Sequence, residues 1–446
     1  MSSGTDELDE FLKEIQDILV GAGTNPNFET KRRVISALNE FLFQSYDGIG
    51  TTEALDDEFD YFSDFHRFWE AHHEDVIGIE IAAPSRCQEV ASVLDRIRRT
   101  QGASVFGLPA VTKGLTREQV ALVRFFTANQ DFRESIPLDI YEKFARNPDR
   151  LDTKRIAESP DNFISFLGVT GLSQNDKRVS FTKKAAEFLL ANNISPFQLA
   201  ELNENNAERI RSMLESNQGI GYKRKKADMF IRDMYVLDVW PKLSNIDAID
   251  VASDRNTMRV SLRLGLVTSK IPLLSSFLDI FSYQYGLVDV ASAEAWRAVW
   301  KEWRTLSPET SPHSPAMMDY MLYRMGQTCF GDLVFQYRCT DNNSHVFYRS
   351  SRRTKKCEVC GESASPEEGI LTALVDIGSA EIPTCPFERK CHGTCQFHDL
   401  VLQDAAKVSH LFEGQGYKLN TVMAIRAINS VATKRGAIGE LLVTNY

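Results

Sequence analysis

The stretch GIGYKRKKADMFIRDM, from Gly219 to Met234, decides how this chain is read. It follows a short amphipathic segment with Ile210, Met213 and Leu214 on one side, so the pattern is helix, tight glycine turn, second helix. Glycines two residues apart permit positive φ and a close backbone approach. The N–H groups that open the second helix then face outward, where a DNA phosphate can accept from them. The cations Lys223, Arg224, Lys225 and Lys226 stand at that point; they fit either a phosphate-binding patch or a solvated helix start. Gly219, Gly221, Tyr222, Arg224 and Lys226 are the candidate DNA-contacting residues of this hairpin.

Around the hairpin the chain is helical in pattern. Thr116–Phe132, Asn162–Val169, Lys183–Asn192, Ala207–Glu215 and Lys225–Val239 carry apolar residues at helical spacing, separated by short polar or Pro/Gly connections. Helical spacing also marks Glu7–Phe43, Val90–Ile97 and the chain after His398, while Val76–Ala83 alternates and predicts one short strand. Trp296, Trp300 and Trp303 share one helix face and read as a buried packing stripe, with ligand stacking as the other option.

Length and composition fit this picture. The 446 residues exceed one core and predict two or three domains; 43% hydrophobic and 25% charged residues exclude wholesale disorder. The net charge of −10 means that any nucleic-acid binding relies on local basic surface. The acidic first twenty residues are unlike a signal peptide, and no apolar run of about 18 residues is present, so an intracellular protein without membrane contact is expected, cytoplasmic, nucleoid-associated or nuclear.

At this point a family resemblance becomes visible. Lys225-Lys226-Ala227-Asp228 resembles the K-x-A-D that opens the second hairpin helix in the 8-oxoguanine branch of the helix-hairpin-helix-GPD DNA glycosylases, the superfamily that includes endonuclease III. Val251–Val267, VASDRNTMRVSLRLGLV, is similar to that family's V-D-x-H-x-x-R-V-x-x-R-L-G-L signature and puts Asp254 at the position of its catalytic aspartate. The resemblance implies a lysine nucleophile. Anchoring on Ala227 nominates Lys225, anchoring on the glycines nominates Lys223, and Lys225 is preferred because the packed small residue fixes the helix face. Arg255 stands where the family often has a small residue, and the spacing from Lys225 to Asp254 resembles the longer linker of the archaeal branch.

The implied chemistry is attack of a neutral amine on C1′ of a flipped, damaged nucleotide, giving a Schiff base and strand cleavage by β-elimination. Neighbouring cations or burial would lower the lysine's affinity for its proton, and Asp254 would stabilise positive charge on the sugar. Asp254 reads equally as an N-cap of the following helix. Val123–Asp131 resembles the family's early helix, with Asn129 and Gln130 as candidates to fill the gap left by the flipped base; an exposed helix end explains them as well.

Seven of the eight cysteines, all but Cys87, fall between Cys329 and Cys395. In a reducing compartment this clustering favours metal ligation over disulfides. Cys339, His345, Cys357 and Cys360 fit a tetrahedral zinc site. Asp319–Cys329 resembles the segment that leads into the [4Fe-4S] loop of endonuclease III, and Cys329, Cys385, Cys391 and Cys395 would hold such a cluster, with His392 and His398 able to join either site. The basic run Arg349–Lys356 reads as a phosphate contact or a solvated loop.

The expectation is a mostly α protein with two helical subdomains of the HhH-GPD type and a metal-binding cysteine-rich insertion. Its segments would be 1–112, helical; 113–328, the glycosylase-like core; 329–398, cysteine-rich; and 399–446, helical. The expected activity is that of a monomeric base-excision glycosylase with AP-lyase activity on double-stranded DNA carrying a damaged base. A monofunctional glycosylase using Asp254 and water, or a non-catalytic DNA-binding scaffold, are the alternatives.

Overall fold

The computed structural model describes residues 78–102, 112–130, 139–169, 175–268, 280–327, 333–339, 346–349, 355–357 and 360–373, with positions 74, 107, 330 and 400. In chain order the elements are β1 (Glu80–Ile81), α1 (Pro84–Gln101), α2 (Arg117–Ala128), α3 (Ile140–Ala145), α4 (Thr153–Glu158), α5 (Pro160–Leu167), α6 (Asn175–Asn192) and α7 (Leu199–Leu202). There follow α8 (Ala207–Ser216), α9 (Arg224–Val236), α10 (Arg255–Arg263), β2 (Val267–Thr268), α11 (Ile280–Leu306) and α12 (Asp319–Gln327), then β3 (Leu333–Cys339), β4 (Val346–Arg349), β5 (Lys355–Lys356) and β6 (Ser363–Ala373). Helix accounts for 66% of the described residues, so the mostly α expectation holds among them. The helical patterns in Glu7–Phe43 and after His398 lie outside the described residues.

Two compact units emerge, and both are discontinuous. The helical unit spans Leu94–Ser253 and Trp296–Tyr323; the second takes Asp254–Ala295 and the described residues before Leu94 and after Tyr323. These units cut across the contiguous segments read from the sequence, because the chain leaves the helical unit after Ser253 and returns at Trp296.

The helical unit is built on an aromatic core. Phe125 stacks on Tyr222 with ring centroids 5.3 Å apart, and Phe230 meets Phe125 edge-on at 5.7 Å and Trp240 at 5.2 Å. Thr116 starts α2 as a capping box with Gln119, and Gly168 ends α5 in the left-handed region, where a residue without Cβ is unstrained. The indoles of Trp296, Trp300 and Trp303 are buried, as a packing stripe requires. Trp300 donates to the Pro312 carbonyl at 2.8 Å, and Trp303 to Asp95 and Thr310 at 3.2 Å each, so two indole N–H groups stay paired on burial.

In the second unit, among the described residues of the alternating segment, Glu80–Ile81 form β1, which pairs antiparallel with β2 through Glu80–Thr268 and Ile81–Val267. The cysteine-rich segment contains an antiparallel sheet of order β4-β3-β6-β5. Cross-strand pairing gives its backbone partners that the composition does not reveal.

Candidate functional site

The glycine hairpin lies in the helical unit. Helix α8 is capped by Asn206, whose side chain accepts from the Glu208 and Arg209 N–H groups, and it buries Ala207, Ile210 and Leu214. Gly219 and Gly221 have φ of 89° and 85°. A Cβ on Gly221 would lie 2.9 Å from the Phe181 ring, while one on Gly219 would lie 2.7 Å from the flexible Lys184 side chain, which can move aside, so torsion is the firmer constraint at Gly219. Helix α9 then begins from Lys223, which is extended and makes no side-chain cap hydrogen bond. The first N–H groups of a 13-residue helix therefore have no side-chain acceptor at the N-cap, and the positive end of its dipole points at the turn.

The nominated side chains have different fates. Lys223 and Arg224 are exposed, while Lys225 and Lys226 are half-buried. The Lys226 ammonium donates to the Asn129 carbonyl at 2.7 Å, and Arg224 donates to Asp250 at 2.8 Å. Tyr222 faces inward: it is buried and its hydroxyl donates to the Phe125 carbonyl at 2.7 Å, which leaves only its backbone for an outward contact.

Asn129 and Gln130 are also buried rather than projecting from a helix end. Asn129 Nδ2 donates to the Ile220 carbonyl in the hairpin turn at 3.2 Å, and Gln130 Nε2 donates to Asn129 Oδ1 at 3.0 Å and Thr182 Oγ1 at 3.1 Å. Their place inside the unit follows from this: they satisfy buried polar atoms and tie the turn to α2 and α6. As placed, neither side chain reaches outward toward a duplex.

A set of charges missed by sequence reasoning supports the other side of the hairpin. Asp250 accepts from Arg224 and, at 2.6 Å, from Arg297, whose other nitrogens donate to the Asp247 and Ala248 carbonyls. The Asp250 N–H donates to Asp228 at 3.1 Å, and Arg211 reaches the same carboxyl at 3.2 Å. The signal was present in the KKAD motif, where Asp228 falls on the inward face of α9.

Burial pushes the Asp228 carboxyl up to about 6 from an ordinary 3.8, against the pull of Arg211 and the Asp250 N–H. The folded protein thus takes up this proton before the unfolded chain does. Stability gained from that uptake is complete below about pH 4 and is lost as pH rises through about 6. Asp228→Asn is expected to flatten the stability profile between those values by at most about 3 kcal/mol, measured by urea melts across the range. An unaltered slope would remove Asp228 as the source.

Asp254 lies in the second unit and N-caps α10. Its Oδ1 accepts from the Asn256 and Thr257 N–H groups at 2.8 and 2.9 Å, and its Oδ2 from Asn256 Nδ2 at 3.2 Å. Thr257 accepts from the Asp254 N–H at 2.7 Å, which completes a capping box. The N-cap expectation is met. Behind it, Arg259 donates to the Gly326 carbonyl of α12, and Ser261 donates to Ser292 at 3.0 Å.

The second unit also holds the cysteine cluster. Cys339 ends β3, and Cys357-x2-Cys360 lies between β5 and β6. The three sulfurs lie within 4.8 Å of one another. The knuckle is backbone-defined: the Cys357 N–H donates to the Glu362 carbonyl at 2.7 Å, and the Gly361 N–H to the Cys357 carbonyl at 2.8 Å, with Gly361 at φ 76°. The cluster can hold a metal, since thiolates bound at about 2.3 Å around tetrahedral zinc stand about 3.8 Å apart. The Glu362 backbone pulls the Cys360 thiol down, but the Cys339 and Cys357 sulfurs and burial outweigh it and raise it to about 11, so metal binding there releases protons. His345, Cys329, Cys385, Cys391, Cys395, His392 and His398 lie outside the described residues.

No protein-family model matches the chain, and no curated protein matches it. Among the described residues no helix is long and apolar enough to cross a membrane.

Proposed function

We propose that this chain is a DNA base-excision glycosylase with lyase activity, bound to its substrate through the hairpin. One observation carries the reading: α9 starts without a side-chain cap, directly after a glycine turn, with Lys223 and Arg224 exposed beside it. That arrangement suits a backbone phosphate, which accepts from N–H groups at a helix start and is attracted by both the helix end and the cations. Lys225 sits one residue further on, in the first turn of the same helix, where the motif resemblance assigns the nucleophile.

In the proposed reaction the Lys225 amine forms a bond to C1′ as the N-glycosidic bond breaks. The base departs with the electron pair and takes up a proton. After nitrogen loses one proton, the C1′–O4′ bond breaks as the C=N bond forms and O4′ takes up a proton, giving the Schiff base of the opened sugar. Loss of a C2′ proton then expels the 3′ phosphate by β-elimination and breaks the strand on the 3′ side. The motif resemblance assigns to Asp254 the stabilisation of positive charge on the sugar.

Borohydride trapping on duplex DNA containing an abasic site tests this. The wild-type chain is expected to form a covalent adduct that Lys225→Gln abolishes. An adduct retained in Lys225→Gln but lost in Lys223→Gln would move the nucleophile. The occupied carboxylate of Asp254 favours a second reading, a DNA-binding scaffold without chemistry. Binding with neither adduct nor base release would establish that alternative.

For the metals, we infer zinc on Cys339, Cys357 and Cys360 with His345 as fourth ligand, and a [4Fe-4S] cluster on Cys329, Cys385, Cys391 and Cys395. Both would be structural: zinc would fasten the end of β3 to the knuckle. Elemental analysis is expected to give one zinc that Cys360→Ser loses, together with a brown iron-sulfur absorbance that it keeps. Zinc without iron would eliminate the cluster.

A further inference from the structure

We infer that the exposed face of α6 carrying Lys177, Phe181 and Lys184 is a second part of the DNA-binding surface, in which Phe181 offers its ring to a nucleotide. The inference rests on the reading that the hairpin meets DNA, and it adds residues from a helix that the motif resemblance does not touch.

These three residues stand at i, i+4 and i+7, so they form one stripe along the helix. Lys177 and Lys184 are exposed and Phe181 is half-buried. Arg178, Thr182, Ala185, Ala186 and Leu189 are buried on a face centred roughly a third of a turn from the stripe at 100° per residue, so the stripe runs along the border between the buried and exposed sides, with Phe181 nearer the buried one. Asp176 and Glu187 lie roughly a quarter-turn off the stripe at 100° per residue, and Glu187 is paired with Lys183.

The stripe adjoins the hairpin directly. Lys184 lies against Gly219, where a Cβ would come within 2.9 Å of its ammonium, and the Phe181 ring lies against Gly221. Lys177 and Lys226 flank the same ring, their ammonium groups 5.6 and 5.7 Å from its centroid. Lys226 itself is anchored by the Asn129 carbonyl. Among the described residues no ion pair engages Lys177, Lys184 or Lys223. An aromatic ring flanked by cations, beside a helix start without a side-chain cap, matches what a nucleic-acid strand presents: phosphates at regular intervals joined by sugars that carry flat bases. This local concentration of positive charge on a chain of net charge −10 is the kind of local basic surface on which nucleic-acid binding by such a chain relies.

The test is fluorescence anisotropy of the full chain on a labelled duplex with a central abasic-site analogue, across a salt series. Lys177→Gln/Lys184→Gln is expected to make the plot of log K against log salt shallower by about 1.8, and to weaken binding roughly tenfold at low salt. Phe181→Ala is expected to weaken binding roughly tenfold, with Phe181→Trp restoring it. Because Lys177 and Lys184 are exposed, thermal melts of the lysine variant should match the wild type. Wild-type salt slope and affinity in the lysine variant would overturn the inference while leaving the hairpin reading intact. Failure of the wild-type chain to bind DNA would overturn both.

Discussion

Asp233→Ala is expected to cost about 3–5 kcal/mol of folding stability, because it removes one partner from a buried charge network and strands the others. Asp233 lies in α9 and is buried with Arg232 beside it. It accepts from Arg232 at 2.8 Å, from Arg124 of α2 at 2.5 Å, and from the Tyr320 hydroxyl of α12. Arg232 also pairs with Asp319 and lies over the Tyr320 ring, 4.0 Å from its centroid. Three separate stretches of the helical unit thus meet on one carboxylate.

Burial by itself would raise the Asp233 carboxyl, but the two guanidiniums and the hydrogen bonds outweigh it and hold it below the ordinary carboxylate value. The network's contribution is therefore present above about pH 4 and disappears as pH falls through that lowered value. Tyr320→Phe removes one hydrogen bond to a charge and should cost only about 1.5–3 kcal/mol. Urea melts at neutral pH rank the two variants, and a loss below about 1 kcal/mol for Asp233→Ala would mean that the guanidiniums find other acceptors.

Gly326→Ala should cost about 1–3 kcal/mol of stability, because the neighbour that must give way is backbone. A Cβ there would lie 2.5 Å from the Asn256 carbonyl carbon and 2.6 Å from Asn256 Cβ. The Gly326 carbonyl also accepts from Arg259, so the close crossing of α12 and α10 is held from both sides. Asn256 is bonded to Asp254, so a shift there disturbs the cap of α10 as well.

Gly286 provides the control. It is helical too, but a Cβ on it meets nothing within 4 Å, so Gly286→Ala should stabilise α11 by about 0.4–1 kcal/mol. Thermal melts that show both variants moving in the same direction would refute the packing argument.

The reading of the hairpin shows how far the one-dimensional pattern reaches. Helices α8 and α9, the turn between them and the N-cap role of Asp254 were legible because each depends on residues within one or two turns. The same holds for Cys357 and Cys360, whose spacing alone makes a knuckle. The inward direction of Asn129, Gln130 and Tyr222 was not legible: a polar residue at a helix end looks solvent-facing until the carbonyl or hydroxyl it must satisfy is known.

Sequence by itself determined the helical class, the glycine turn, the exposed cations at its end and the cysteine pair, all consequences of local backbone preference and periodic burial. Only the tertiary structure decided that Phe181 and Lys184 press against the hairpin glycines, that Asp228 and Asp233 of α9 are buried, and that Cys339 joins the knuckle. Those outcomes rest on contacts between residues far apart in the chain, where packing and the pairing of buried charge select among partners that composition leaves equivalent.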